Sequence, residues 1–205
     1  EHPDFPPNKG YITAFDPLTG KTHWMREHSQ HWNGGTLSTE AGLVFQGNGD
    51  GYFVAYDATN GEELWKVNTY TSTIAPPITY AIDGEQYVAI QVGSGGAGGL
   101  TDGSAMPASN KWGNFGRLLV FKLNGGSSIE QPEHWAREIP EPPTIEMAEA
   151  AIDHGMELYH EVCTFCHGIA VIGGAAVPDL RKMSEQTHRM FKEIVLEGVL
   201  ADRGM

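Results

Sequence analysis

A repeated motif limits the possible folds of this chain more strongly than any other feature of its sequence. Residues 10–24 read GYITAFDPLTGKTHW, and residues 51–65 read GYFVAYDATNGEELW. The two copies are 41 residues apart, and their Gly, Tyr, Ala, Asp, Gly and Trp residues match at equal spacing. A period near 40 residues that contains several short strands is typical of a β-propeller. An all-β sandwich is the alternative, although sandwiches rarely carry so regular a repeat.

Each copy of the motif predicts a strand, a tight turn and a returning outer strand. An Asp ends the first strand through side-chain-to-backbone hydrogen bonds, and a Gly supplies the positive φ of the turn. A Trp on the outer strand can cover the small Ala and join one blade to its neighbour if its indole N–H reaches a carbonyl. The equivalent positions are Asp16 and Asp57, Gly20 and Gly61, and Trp24 and Trp65.

Further strands are predicted from short apolar runs that are bounded by turn residues, with Asp83-Gly84 as a hairpin signal. A third, degenerate copy of the motif lacks the Asp and the Trp. We therefore expect it to form the last blade of a ring, whose outer strand comes from elsewhere in the chain. The predicted strands are 42–47, 51–56, 77–81, 86–91 and, in the third copy, 116–122.

The composition then changes, which divides the chain into propeller blades (1–123), a linker (124–144) and a helical domain (145–205). The linker holds a Gly-Gly-Ser-Ser stretch and four prolines, so its second half is expected to be stiff. The helical domain is predicted to contain two helices. One helix places Ala148, Ala151, Gly155, Leu158, Tyr159 and Val162 on one face, and the other begins at Ser184 as N-cap and ends at Gly198.

The helical domain carries the strongest chemical signal, the run Cys163-Thr164-Phe165-Cys166-His167. Two thiols at this spacing can add to the two vinyl groups of haem, and the adjacent His can reach the iron. A zinc site is an alternative, but no second CxxC or HxxxH follows. A redox dithiol is another, but it usually lies in a βαβ unit rather than after an amphipathic helix.

Two later residues fit the haem interpretation. Pro178 lies 11 residues past His167, where its carbonyl can accept the ring N–H of that histidine. Met205 lies 38 residues past His167, and a thioether opposite a histidine is typical of electron-transfer haems. Other methionines fit packing or the leading helix better; these are Met147, Met156, Met183 and Met190.

A possible cofactor face lies at residues 31–36, HWNGGT, where a Trp precedes an amide and two glycines. A flat ring with a polar edge suits a planar cofactor, although the same residues also fit a Trp beside a turn. The net charge of −13 argues against nucleic acid as a partner, because phosphates would repel the chain. No run of 18 apolar residues is present.

With the repeats and the haem motif in place, the chain resembles the C-terminal part of the quinohaemoprotein alcohol dehydrogenases over essentially all of its 205 residues. The resemblance implies an all-β portion, the last two to three blades of an eight-bladed propeller that holds pyrroloquinoline quinone (PQQ), followed by an all-α c-type cytochrome domain. Truncation at both ends is expected, because the chain starts at Glu1 and lacks the cytochrome's final helix. The motifs that carry the resemblance are AxDxxxGxxxW at 14–24 and 55–65, HWNGGTLS at 31–38, GLVFQG at 42–47, APPITY at 75–80, QYVAI at 86–90, GRLLVFKLNG at 116–125, CTFCHG at 163–168 and DRGM at 202–205.

The resemblance also implies a mechanism, in which an alcohol gives two electrons and two protons to PQQ. A calcium ion polarises the quinone carbonyl and an aspartate acts as base. No catalytic residue is expected in this chain, since that aspartate and the calcium ligands belong to blades the chain lacks. The implied site residues are Trp32 and Asn33 for PQQ, Cys163 and Cys166 for covalent haem attachment, and His167 and Met205 for the haem iron.

The implied setting is the periplasm, with primary alcohols as substrates and an external electron acceptor as partner. That acceptor is a copper protein, a cytochrome or a membrane quinone-reducing subunit. Two other functions remain open on the sequence: an electron-transfer protein whose propeller has lost its cofactor, and a binding scaffold with an accessory haem domain. The haem ligands argue against the scaffold, which has no use for a low-spin haem.

Overall fold

The computed structural model describes residues 9–96, 99, 103–134, 138–174 and 177–204. Nine strands form three antiparallel sheets of two, four and three strands, each in simple sequence order. The strands are β1 (Gly10–Phe15) and β2 (Thr22–His28); β3 (Asn33–Ser38), β4 (Leu43–Asn48), β5 (Tyr52–Asp57) and β6 (Glu63–Asn68); and β7 (Ile78–Ile82), β8 (Glu85–Val92) and β9 (Arg117–Lys122).

The sheets correspond to parts of three propeller blades, and among the described residues only the middle sheet has four strands. The repeated motif covers the third and fourth strands of a blade, namely β1–β2 in the first copy and β5–β6 in the second. The first copy therefore stands as a two-stranded sheet. The third copy supplies only β9, which pairs with β8, and no further strand joins that sheet in the described part of the chain. Every predicted strand is confirmed.

The predicted turns are confirmed in both complete copies of the motif. Asp16 Oδ1 accepts a hydrogen bond from the backbone N–H of Leu18 at 2.8 Å, and Asp57 Oδ1 accepts one from Thr59 at 2.7 Å. The Leu18 N–H lowers the pKa of Asp16, and the hydroxyl and N–H of Thr59 lower that of Asp57. The turn glycines have φ angles of 69° and 70°, a region that side chains with a Cβ rarely adopt. They are Gly20 and Gly61.

Two apolar cores lie between the sheets, and both use β5. Because side chains alternate along a strand, Val54 and Tyr56 face the β1–β2 sheet while Phe53 faces the third sheet. Phe53 is fully buried and stacks on Phe45, with its ring centroid also 5.5 Å from that of Phe121. The middle blade therefore packs on both faces, as blades in a propeller do.

Trp24 joins the first sheet to the second, as the motif predicted. It pairs with Ala14 across the strands, is 8% exposed, and donates its indole N–H to the carbonyl of Ala58 at 2.8 Å. A Cβ on Gly61 would lie 2.5 Å from the Trp24 ring, so this glycine also leaves room for the indole. Arg26 strengthens the same junction by donating to the Gly61 carbonyl at 2.8 Å.

Short helices follow the sheets. A 3₁₀ turn (Gly103–Ala105) leads into α1 (Pro107–Trp112), and α2 (Glu149–Leu158) continues through a π turn (Tyr159–Cys163) into α3 (Thr164–His167). Two more 3₁₀ turns follow at Ile169–Val171 and Leu180–Lys182, then α4 (Glu185–Arg189), α5 (Phe191–Val195) and a last 3₁₀ turn at Ala201–Arg203. No helix in the described ranges is long and apolar enough to span a membrane.

The second predicted helix begins where the sequence indicated but is not continuous. Ser184 is its N-cap and accepts the N–H of Thr187 at 3.1 Å. Met190, with φ −90° and ψ 10°, then separates α4 from α5. Gly198 has a φ of 67°, which is consistent with the predicted end of the helical region there. The prediction of one helix over this range was therefore wrong at Met190.

Candidate functional site

A pocket of about 430 Å³ lies beside Trp32, at the start of β3. Trp32 is 38% exposed, so one side of its ring remains accessible. The rest of the lining comes from the chain before β7, the end of β8, the glycine-rich segment after β8 and the residues before β9. It includes Ile74, Gln91, Ser94 and Asn114. An accessible indole beside a cleft lined largely by small and apolar residues suits a flat ligand.

Asn33 lies next to this pocket but does not line it. Its Nδ2 donates to the carbonyl of Gln30 at 2.7 Å, while its Oδ1 is buried without a hydrogen-bond partner. A buried amide oxygen without a partner is unfavourable unless a ligand or a water supplies a donor. Of the two residues predicted to contact the quinone, Trp32 is the one that reaches the pocket, and a contact from Asn33 stays a prediction.

A buried polar chain, which the sequence analysis missed, fixes the backbone that presents Trp32. His28 Nε2 bonds to Gln46 Oε1 at 2.9 Å, and Gln46 Nε2 donates to the carbonyl of Gly34 at 2.8 Å. Both side chains are at most 7% exposed. The sequence signal was available, since polar residues at two positions inside strands predict a hydrogen-bonded pair.

A cluster of buried hydroxyl groups lies behind the pocket and was also missed. Thr69, Thr71, Ser72 and Thr73 are fully buried in the segment after β6. Ser72 Oγ donates to the carbonyl of Gly49 at 2.7 Å, and Thr69 Oγ1 donates to that of Gly51 at 2.9 Å. The run TYTST at 69–73 carries no clear signal of this burial, because Ser and Thr are equally common in exposed loops.

The haem motif lies at the end of the continuous helical stretch formed by α2, the π turn and α3. Cys163 and Cys166 are free thiols in this structure. His167 Nδ1 lies 3.4 Å from the carbonyl oxygen of Pro178, the partner that the sequence predicted. With Nδ1 as donor, this contact leaves Nε2 available for a metal.

The helix that leads into the motif and the helices that follow it along the chain leave their apolar side chains uncovered. None of the short helices from α2 to α5 buries an apolar side chain. The exposed fractions include 47% for Leu158, 73% for Val162 and 56% for Phe191. Two thiols, one oriented imidazole and many uncovered apolar side chains together match what covalently bound haem requires.

The structure does not test the other predicted metal ligands. Met205, the predicted second iron ligand, lies outside the described residues. Within the described ranges, no three His, Cys, Asp or Glu side chains converge as a metal site. The second ligand and the calcium site therefore stay predictions, and the Trp32 pocket and the cysteine motif lie on separate elements of the chain.

Comparison with known proteins gives a consistent set of relatives. Residues 25–88 match the family described as glucose/ethanol/alcohol dehydrogenase, beta-propeller domain. The chain is 40% identical over 199 residues to quinohemoprotein alcohol dehydrogenase ADH IIB of Pseudomonas putida. It is 36% identical over 197 residues to the dehydrogenase subunit of the alcohol dehydrogenase (quinone) of Acetobacter aceti.

Solved structures agree with these sequence relatives. The quinohemoprotein alcohol dehydrogenase ADHIIG from P. putida HK5 aligns with a TM-score of 0.69 and 36% identity over 95% of this chain. The enzyme from Comamonas testosteroni aligns with a TM-score of 0.69 and 33% identity over 96% of this chain. In both cases the chain spans only 28% of the solved structure, and it spans 28% of ADH IIB as well.

Proposed function

We propose that this chain, which is homologous over 96% of its length to the quinohemoprotein alcohol dehydrogenases, forms part of such an enzyme. Members of that family use PQQ, haem c and calcium. The proposed enzyme is periplasmic and oxidises primary alcohols to aldehydes. It passes the electrons through haem c to an external acceptor, which is a copper protein, a cytochrome or a membrane quinone-reducing subunit.

The propeller part contributes a face of the quinone pocket. Bound PQQ would supply a two-electron acceptor for the alcohol, and haem c a one-electron carrier. Trp32 presents an accessible ring to the pocket, and the bonds from His28 through Gln46 to Gly34 hold the strand on which that ring stands. The unpartnered Oδ1 of Asn33, the residue after Trp32, is a polar group that a ligand donor could satisfy.

The helical part contributes the haem site and forms the proposed all-α cytochrome domain. Cys163 and Cys166 would hold the haem covalently, and His167 and Met205 would ligate its iron. The Pro178 carbonyl orients the His167 ring, which is the geometric observation that supports ligation most directly. The exposed apolar side chains of α2 and α5 would exclude water from the haem face.

The observation that carries the proposal is the presence of both halves in one chain. A propeller sheet with an accessible indole and a CxxCH helix with an oriented histidine are separated only by a proline-rich linker. A binding scaffold would not need the second half. An electron-transfer protein without a quinone would need no pocket beside Trp32.

The experiment adds ethanol to the oxidised natural full-length protein, loaded with haem, calcium and PQQ, and follows reduction of the haem by its absorption band. We expect reduction that requires PQQ. The control without PQQ should remain oxidised until dithionite is added. Reduction by dithionite but by no primary alcohol in the presence of PQQ would contradict the dehydrogenase and favour the electron-transfer protein.

A further inference from the structure

A backbone contact joins the propeller part to the segment that follows the haem motif. The 3₁₀ turn at Gly103–Ala105 lies against the residues just after the 3₁₀ turn at Ile169–Val171. The N–H of Gly103 donates to the carbonyl of Ile172 at 3.0 Å. This contact bridges residues on the two sides of the linker, so it bears on how the pocket and the haem site are held together.

Both residues at the centre of this contact are buried glycines, Gly103 and Gly173. A Cβ on Gly103 would overlap the carbonyl oxygen of Gly173. Neither glycine has a positive φ, so backbone conformation does not demand glycine at either position. Space does, because the two backbones approach more closely than side chains permit.

Gly173 in turn lies against the carbonyl that orients the haem histidine. A Cβ on Gly173 would lie 2.6 Å from the carbonyl oxygen of Pro178 and 2.5 Å from that of Val177. The Pro178 oxygen is the one that His167 Nδ1 contacts at 3.4 Å. Close backbone contacts, which we call the glycine stack, therefore lead from the propeller turn through Gly173 to Pro178, whose carbonyl contacts His167.

On the other side, α1 connects the turn to the pocket beside Trp32. Asn110 Nδ2 donates to the carbonyl of Gly103 at 2.6 Å. Its neighbour Ser109 is 8% exposed and accepts a hydrogen bond from Ser94 Oγ at 2.5 Å. Ser94 lines the Trp32 pocket, so short polar contacts cover the whole distance from that pocket to the turn.

A second cavity of about 400 Å³ lies along the same route. Its walls include Ser94 and Asn114, which also line the Trp32 pocket, together with Gly103 and Asn110. Gly174 from beyond the haem motif completes it. The two cavities thus share a wall, and the second one opens onto the helical part of the chain.

We propose that Gly103 and Gly173 are positioning residues that couple the quinone pocket to the haem site, by pressing the propeller turn against the backbone that holds the Pro178 carbonyl. The proposal rests on the function proposed above. The contact fixes the separation between the two redox sites and, through Pro178, the orientation of His167. A side chain at Gly103 would push the propeller turn away from Gly173, and one at Gly173 would displace the Pro178 carbonyl.

The two substitutions should act differently. Gly173→Ala would displace the Pro178 carbonyl and weaken its hydrogen bond to His167, so the histidine becomes a poorer electron donor to the iron. Because a weaker donor disfavours the oxidised iron, the haem midpoint potential should rise. Gly103→Ala would leave the Pro178 contact in place and separate the propeller turn from Gly173. Its main effect should be slower haem reduction by alcohol.

The experiment uses the natural full-length protein with haem, calcium and PQQ bound. Gly103→Ala and Gly173→Ala are compared with wild type in two measurements: the haem midpoint potential by spectroelectrochemical titration, and the rate of haem reduction after mixing with ethanol. We expect a higher potential for Gly173→Ala and haem reduction about 10-fold slower than in wild type, the usual cost of losing an outer-shell partner. Gly103→Ala should also be reduced more slowly than wild type, at the wild-type potential. Gly126→Ala makes the same chemical change where nothing lies within 4 Å, and should match wild type in both measurements.

Asn110→Ala covers the case in which a glycine variant fails to load haem. It removes the bond to the Gly103 carbonyl without adding atoms, and should slow ethanol-driven reduction while leaving the potential unchanged. Wild-type rates and potentials in Asn110→Ala and in every glycine variant that loads would overturn the inference. If ethanol does not reduce the wild-type haem, the proposed function fails. The potential of Gly173→Ala then still decides whether Gly173 acts on His167, with Gly103→Ala as the matched variant that should keep the wild-type potential.

Discussion

The propeller sheets and the C-terminal helices differ in how they cover their apolar side chains. Every buried hydrophobic residue among those the structure describes lies between Ile12 and Ala108. The helices from Glu149 onward bury none, although they carry large apolar side chains such as Ile152 and Phe191. The first region completes its cores with its own chain, whereas the second leaves its apolar side chains for a ligand or another segment to cover.

The geometry of strands and helices explains this difference. Alternation along β5 gives the middle sheet two apolar faces, and a neighbouring sheet lies on each side to receive them. Each C-terminal helix is short and offers one face, so several must surround a common object to gain stability. Haem is such an object, and its covalent attachment at Cys163 and Cys166 would bring it to that place.

The largest effect is expected in the propeller sheets, which complete their apolar cores with their own chain. Trp24→Ala removes a nearly buried indole from the junction of the first two sheets, together with its bond to Ala58. We expect a loss of about 3–5 kcal/mol in the local stability of β1 and β2. Hydrogen exchange of the strand amides measures this loss without assuming that the whole chain unfolds in one step.

The matched control is Trp65→Ala, at the equivalent position of the second copy. Trp65 is 40% exposed and contacts the ring of Phe121 edge-on. Phe121 belongs to the third sheet, whose copy of the motif lacks the Asp and the Trp. The loss of Trp65 should cost clearly less than that of Trp24. Equal losses would mean that the two junctions are equivalent and that the Ala58 bond adds nothing.

A second prediction separates backbone conformation from packing at the same junction. Gly20 and Gly61 have almost the same φ, but open space surrounds Gly20, whereas the Trp24 ring covers Gly61. Gly20→Ala should cost about 1–2 kcal/mol, the penalty of a left-handed residue with a Cβ. Gly61→Ala should cost about 1–3 kcal/mol more, since the indole must move. Thermal unfolding of the two variants measures the difference between their losses of stability. Equal losses would mean that the Trp24 ring does not pack on Gly61.

A third prediction concerns the C-terminal helices, which leave their apolar side chains uncovered. Leu158 lies at the end of α2 and is 47% exposed. In haem-free protein, Leu158→Ser should change the stability of the helical region little. In haem-loaded protein it should cost about 2 kcal/mol, the value of an apolar side chain that has become buried. Denaturant unfolding with and without haem provides the test, and the same cost in both forms would show that something other than haem covers this face.

The sequence predicted the sheets better than the helices for the same physical reason. Equal spacing of Gly, Asp and Trp in the two motif copies predicted the strands, the turns and the Trp24 junction, because local turn chemistry and period-two burial determine them. The break at Met190 was not predictable, since short helices depend on tertiary contacts rather than on their own periodicity.

The site was predictable to a similar degree. Spacing alone predicted the contact between His167 and Pro178. The approach of Gly103 to Gly173 joins residues 70 positions apart with no motif at either one, so only the folded structure shows it.

The smallest effect is expected at Asp179, which anchors the segment next to Pro178. Its carboxylate accepts two bonds from the Arg181 guanidinium, at 3.0 and 2.8 Å, and caps the following turn through the Arg181 N–H. Burial acts to raise the pKa of Asp179, but the bonds and the charge of Arg181 outweigh it, so the pKa is lowered from 3.8. Asp179→Asn should therefore destabilise this segment by about 1 kcal/mol at neutral pH.

The sign of the pH dependence follows from that lowered pKa. The carboxylate stabilises the fold fully above pH values near the ordinary pKa of 3.8, and this contribution disappears as the pH falls through the lowered value. Hydrogen exchange of the turn after Pro178 should show wild type and Asp179→Asn converging in acid and separating near neutrality. The opposite trend would mean that burial, rather than Arg181, determines the pKa of Asp179. The helical region would then hold a closed core of its own.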